Sequence, residues 1–219
     1  MTSEGAHPEF KKYVIRLRRE EVFMDAPRVS ALDYTEALIG EILYGESSDV
    51  LTKVGDLSFQ HLRLDWAARD GFPLKELAAF DNRYAEVFPL LFDKETDALT
   101  FRTGPTASRD VLYIDELSLL PDHRGRRLGA FIVERLVRQY PTRWGVLVVR
   151  AAPEPYAEGE VSDWYERVHA RPFPSSGELA QKRLRAYWAG FGFQRLGESA
   201  YMARSPHADA NAIGAEGIT

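Results

Sequence analysis

The chain has no cysteine in its 219 residues. That absence excludes disulfides, cysteine nucleophiles and thiolate metal sites, and it suits a cytoplasmic setting. Histidine is scarce too. The five residues, at 7, 61, 123, 169 and 207, show no spacing that would gather them on a metal. No apolar run approaches bilayer-spanning length, and the polar start MTSEGAHPEFKK lacks the features of a signal peptide, so no membrane partner is expected. Positive charge is in short supply as well. With 28 Lys and Arg against 33 Asp and Glu the net charge is −5, which argues against a general nucleic-acid surface. Internal repeats, a Walker A sequence and a G-x-S-x-G elbow are missing. Gly190 and Gly192 imitate the opening of a dinucleotide fingerprint, but Arg195 stands where the third glycine belongs and a helix precedes them.

What is present is globular. Apolar residues make up 45% and charged residues 28%, and the length suffices for one large domain with a buried core. Residues 12–204 are expected to form that domain, with flexible tails at 1–11 and 205–219. The most informative stretch is DVLYIDELSLLPDHRGRRLGAFIVERLVRQY, Asp110 to Tyr140. Val111 to Leu120 is apolar enough for a buried strand, and Pro121 closes it. From Leu128 the period becomes 3.6, with Leu128, Phe131, Ile132, Leu136, Val137 and Tyr140 on one helix face. Between them lies RGRRLGA, Arg124 to Ala130. A helix start offers unpartnered N–H groups and a positive dipole end. Small residues at 125, 129 and 130 admit a close ligand, and three arginines there are unfavourable without an anion. The segment reads as a pyrophosphate cradle.

Elsewhere the pattern predicts a strand over Tyr13–Arg19, then a helix capped by Ser30 and running to about Tyr44. Residues 56–64 read either as strand or as the start of a helix reaching Gly71. Pro73 opens a helix to about Phe92, interrupted at Pro89. Residues 94–109 read as loop or short hairpin. Trp144–Ala152 is a second buried strand, parallel to the first because one helix joins them. Ser175 to Glu178 forms a capping box for a helix over about 177–190, and a strand follows near Ser199–Arg204.

The segment L-x-L-x-P-D-H-R-G-R-R-L-G-A, Leu117 to Ala130, resembles the acetyl-CoA-binding motif of the GNAT superfamily of N-acetyltransferases, written Q/R-x-x-G-x-G/A. Arg124 takes the Q/R position and Gly129 the last small one, while Arg127 replaces the middle glycine. It can still serve if its dihedrals are helical. The resemblance covers roughly residues 111–203 and leaves 12–109 atypical. It implies a mixed α/β, GNAT-like fold: a central, mostly antiparallel twisted sheet with one parallel strand pair and helices on both faces. The helix at 128–140 is expected on one face and that at 177–190 on the other.

It further implies an acetyl-CoA-dependent N-acetyltransferase acting on a primary amine of a small molecule or peptide. The alternative is a non-catalytic acyl-CoA-binding member of the fold. A bulge in the strand would expose backbone, with the Leu117 N–H by the acetyl carbonyl and Leu119 by the pantetheine. The cofactor-binding set is Leu117, Ser118 and Leu119 with Arg124, Gly125, Arg126, Arg127, Leu128, Gly129 and Ala130. No metal is implied. Glu116 and Asp115, facing opposite ways, are the candidate bases, with Glu116 preferred. YWAGFGF resembles the family's F-Y-x-x-x-G-F segment, but Trp188 holds the tyrosine position. Tyr187 is therefore the candidate acid and Tyr201 the fallback. Residues 153–171 carry Glu154, Glu158, Glu160, Asp163 and Glu166 with Tyr156, Trp164 and Tyr165, a pattern ordinary for a solvated acidic loop that also suits a cationic amine acceptor. The resemblance leaves room for a homodimer.

Overall fold

A computed structural model of the chain describes residues 12–20, 30–45, 50–101, 108–139, 144–152, 163–169 and 177–206. Among them, seven strands form one open sheet. They are β1 (Lys12–Glu20), β2 (Thr35–Gly45), β3 (Thr52–Leu62), β4 (Val111–Leu119), β5 (Val146–Arg150), β6 (Gln194–Arg195) and β7 (Tyr201–Arg204). The spatial order is β1-β2-β3-β4-β5-β7-β6. Only β4 and β5 run parallel, in register from Val111↔Val146 to Ile114↔Val149. Every other pairing is antiparallel. The apolar runs of β4 and β5 are explained by their position. Both are central, and Val111 to Ile114 and Val146 to Val149 are buried on both faces.

The helix expected from Ser30 to Tyr44 is a strand. The cap itself forms, since the Ser30 N–H donates to Asp33 Oδ2 at 2.7 Å, but it opens only a 3₁₀ turn over Ala31–Tyr34. The following TEALIGEILYG serves both periods. Leu38 and Ile42 fit a helical stripe, and they also alternate with Ile39 and Glu41. Pairing with β1 on one side and β3 on the other decides the matter, as long-range contacts override local propensity.

The ambiguous 56–64 region divides cleanly: β3 runs to Leu62, and helix α1 occupies Leu64–Arg69. The Pro73 helix is two helices, α2 (Leu74–Phe80) and α3 (Asn82–Leu91). Its break falls at Asp81, not at Pro89, which lies inside α3. Asp81 is extended and its carboxylate accepts the Arg83 N–H at 2.8 Å, so a side-chain cap restarts the helix. Helices α4 (Leu128–Gln139), α5 (Asp163–His169) and α6 (Glu178–Ala189) complete the set. The predicted capping residues 175 and 176 lie outside the described residues, as do 1–11, 153–162 and 207–219.

The two faces of the sheet carry separate cores. On one, Leu128, Ile132 and Leu136 of α4 and Trp188 of α6 pack against Leu57, Leu112, Ile114, Leu147 and Val149. On the other, Leu64, Leu77, Tyr84, Val87 and Phe88 of α1 to α3 pack against Val111, Tyr113, Val146 and Val148. Helices thus cover both faces, but α4 and α6 lie on the same one. The expectation that they would oppose each other is overturned by this shared core. The handedness rule constrains β4-α4-β5, a parallel crossover, whereas β5 and β7 are antiparallel and leave the side of α6 free.

Candidate functional site

The site is built where β4 loses its partner. Beyond Ile114 no described strand pairs with β4 on the β5 side, because β5 ends at Arg150. On the β3 side the register shifts: Phe59 pairs with Ile114 and Ser58 with Glu116, so Asp115 is an extra residue, a β-bulge. The bulge has two consequences. Ile114 and Leu117 both pack against the α4/α6 core, although strict alternation over three residues would separate them. Asp115 turns to the opposite face, where it meets Arg83 of α3, and the alternation that resumes after the bulge sets Glu116 opposite Leu117 and so on that side too, against the expectation that the two carboxylates face opposite ways. The second concerns the backbone. The Leu120 N–H donates to Val54 O of β3 at 2.8 Å. Alternation then sends the N–H groups of Leu117 and Leu119 away from β3, into the gap that opens past β5.

The turn after β4 is shaped by two left-handed residues, Gly125 (φ 76°) and Arg127 (φ 58°). The condition that Arg127 be helical is not met. It holds the conformation that a glycine takes without strain, which is the physical content of its departure from the motif. Arg124 does not reach outward. Its Nε donates to Leu119 O at 2.8 Å and its Nη2 to Val168 O, tying the turn to β4 and α5. Burial lowers its affinity for the proton. Arg126 and Arg127 are the exposed cations, and the Arg127 guanidinium lies 4.8 Å from the centre of the Phe191 ring.

At the start of α4, Leu128 and Gly129 lead with N–H groups that have no acceptor within the helix. The third, of Ala130, donates to the Tyr187 hydroxyl at 2.8 Å. A Cβ on Gly129 would meet Leu117 Cδ2 and Tyr187 Oη, each at 3.2 Å. Leu117, Gly129, Ala130 and Tyr187 thus converge on one point at the mouth of the gap. Burial raises the Tyr187 pKa, opposed by the Ala130 N–H and by Arg127. Ser118 contributes a hydroxyl buried without a hydrogen-bond partner among the described residues.

Across the sheet, Asp115 is committed. Its Oδ1 accepts from Arg83 Nη1 and its Oδ2 from Ser58 Oγ at 3.4 Å. Arg83 is itself held by Asp81, with Nε 2.9 Å from Oδ1 and Nη2 2.5 Å from Oδ2. The fallback acid Tyr201 lies on this same face. Its hydroxyl donates to Glu86 Oε2 at 2.7 Å, and burial together with Glu86 pushes its pKa up to about 12. Sequence reasoning passed over Arg83 and Glu86 because neither belongs to a motif. The sole local signal was the Asp81-x-Arg83 spacing at a helix start. Of the acidic segment 153–171, the described part is α5, where Asp163 and Glu166 are exposed. The Trp164 ring already receives Lys53 Nζ at 4.4 Å and the Arg167 guanidinium at 5.5 Å.

Among the described residues no group of three or more His, Cys, Asp or Glu could hold a metal ion, and no helix is long and apolar enough to cross a membrane. Compared with protein families, curated proteins and solved structures, the chain matches none.

Proposed function

We propose that the chain is an acetyl-CoA-dependent N-acetyltransferase of the GNAT kind, transferring an acetyl group to a primary amine of a small molecule or peptide. The observation that carries this reading is the conjunction at β4. One strand holds a bulge, loses its parallel neighbour at the same level, and runs into a tight turn that ends on a helix start. A pyrophosphate fits the donors there: the Leu128 and Gly129 N–H groups at the positive end of α4, with Arg126 and Arg127 beside them. The space is closely shaped, since even a methyl group on Gly129 would press on Leu117 and Tyr187.

Bound acetyl-CoA would supply a thioester whose carbon the amine attacks, a C–N bond forming as the C–S bond breaks. The Leu117 N–H, directed into the gap, would donate to the acyl oxygen as negative charge develops on it. One such donor is worth about 10²–10³ in rate. Glu116 would take the amine proton, directly or through water. Asp115 is given a structural part, since its oxygens accept from Arg83 and Ser58. On the opposite face Tyr187 accepts a hydrogen bond from Ala130, which leaves its own proton available for the departing sulfur. The acceptor reading rests on charge pattern alone: a cationic amine approaching past 153–171.

A second reading is a module that holds acyl-CoA without turning it over. Asp115, one of the two candidate bases, is already engaged by Arg83 and Ser58, and this favours it. A thiol-release assay with acetyl-CoA and a panel of amines decides. Release that depends on the amine supports the enzyme; a CoA-induced thermal shift without release supports the module; neither removes both.

A further inference from the structure

We propose that Arg83 is a positioning residue for acyl transfer: from the far face of the sheet it clamps the Asp115 bulge and so aims the Leu117 N–H into the gap beside β5. The inference rests on the acetyltransferase reading for its kinetic consequence, and on geometry for the clamp itself.

A bulge is a local choice between two registers. Without the extra residue, the strand beyond Ile114 would slip by one, and every side chain and N–H after it would change sides. Leu117 would leave Gly129 and Tyr187, and its N–H would turn toward β3. What opposes the slip is a chain of contacts from α3. Asp81 caps α3 through the Arg83 N–H and binds the same residue's guanidinium on Nε and Nη2. The planar fork is thereby fixed, and Nη1 is left pointing at Asp115. Asp115 is in turn tied to Ser58, the residue at which the β3 register shifts. Helix, bulge and neighbouring strand are thus joined through one guanidinium. The hydrogen bonds from Arg83 hold Asp81 below its ordinary carboxylate range, as expected for a pair that stays ionised. This gives the N-terminal half a part in the chemistry although it carries none of the motif. It also assigns Asp115 a structural charge in place of a base.

The test compares Arg83→Met, Arg83→Lys and Asp115→Asn with the parent by two methods. In amine-dependent thiol release, Arg83→Met should lower kcat about 10²-fold, the usual result of misplacing a catalytic group by an ångström. The Kd for CoA should stay within threefold and the pH profile should keep its shape. Arg83→Lys, which keeps the charge and loses the fork, should recover part of the loss. Asp115→Asn should lose about tenfold, the value of one charge-assisted hydrogen bond, with the acid limb of the profile intact. In hydrogen exchange, which needs no substrate, the parent should show Ser118 and Leu120 protected and Leu117 and Leu119 fast. That alternation should vanish in Arg83→Met. Unchanged kcat in Arg83→Met overturns the proposal, as does an unchanged exchange pattern. Loss of the acid limb in Asp115→Asn also overturns it and returns Asp115 to the role of base. If Arg83→Met does not fold, Arg83→Lys carries both comparisons. If the parent releases no thiol, the acetyltransferase reading fails and exchange alone decides the clamp.

Discussion

Arg127 offers a prediction whose sign is set by one dihedral angle. Its φ of 58° places it in the left-handed region, at the position where the motif it resembles has glycine. An L-residue there carries about 1–2 kcal/mol of steric strain. Glycine escapes it, but loses roughly 0.5–1 kcal/mol because its unfolded chain is freer. The comparison that isolates the backbone is Arg127→Gly against Arg127→Ala. Both variants lose the same charge and the same contact with the Phe191 ring, so those contributions cancel. Glycine should then be the more stable of the two by about 1 kcal/mol. If Arg127 were the first helical residue, alanine would win by about the same amount, so the two backbones are separated by about 2 kcal/mol. For a chain of this size 1 kcal/mol corresponds to about 2–4 °C in Tm. Paired thermal and urea melts at one pH give the answer. An alanine variant that melts above the glycine variant refutes the left-handed turn, and with it the account of how Arg127 stands in for glycine.

Three further outcomes follow from the same site. CoA at a hundred times its Kd should stabilise the parent by about 2.7 kcal/mol, and Gly129→Asp, which adds bulk against Leu117 and Tyr187 and a negative charge beside the phosphates, should abolish the shift. Tyr187→Phe removes the acceptor of the Ala130 N–H and should lower stability by about 1 kcal/mol in melts without ligand; a larger proportional loss in thiol release than in CoA affinity marks the hydroxyl as the acid. His123, beside Tyr13 and Tyr44, has its pKa lowered by burial and then by Arg126, against a weaker pull from Asp122. Its folded pKa lies below the unfolded value of about 6.5, so its contribution is complete above that pH and is lost as the pH falls through the folded value. Tm should therefore drop on acidification below about pH 6.5, and His123→Gln should flatten that part of the curve; an unchanged slope excludes His123 as its source.

The parts of the site that were legible in the sequence are those where chemistry and position coincide within a few residues. Val111 to Ile114, the closing Pro121 and the change of period at Leu128 announced strand, turn and helix because each signal is local. The β4/β5 pairing was legible for a topological reason, a single helix between two buried strands. Faces and bulges are different in kind. Asp115 and Glu116 were assigned to opposite faces by the period of an ideal strand, and a bulge is a departure from that period that the residues DEL do not advertise. The segment from Ser30 to Tyr44 carried a true cap and an apolar pattern compatible with two periods. Only its flanking strands decide between them, and the sequence of one of these, β3, itself reads as strand or as helix.

The clamp shows why such gaps fall where they do. Arg83 and Asp115 are 32 residues apart, on α3 and β4, and the contact exists because α3 lies across the face of the sheet opposite to the turn. On the proposed function the motif-like segment would specify the ligand side of the site, where backbone donors and small residues must follow one another along the chain. The opposite side is free of that constraint. Any element that brings a fixed cation over the bulge serves, and here it is a helix cap in the half of the chain that carries none of the motif's residues. A strand that must expose its N–H groups on one edge has to be prevented from slipping back into register. The residue that prevents it acts across the sheet, so it has no reason to lie near the motif in sequence.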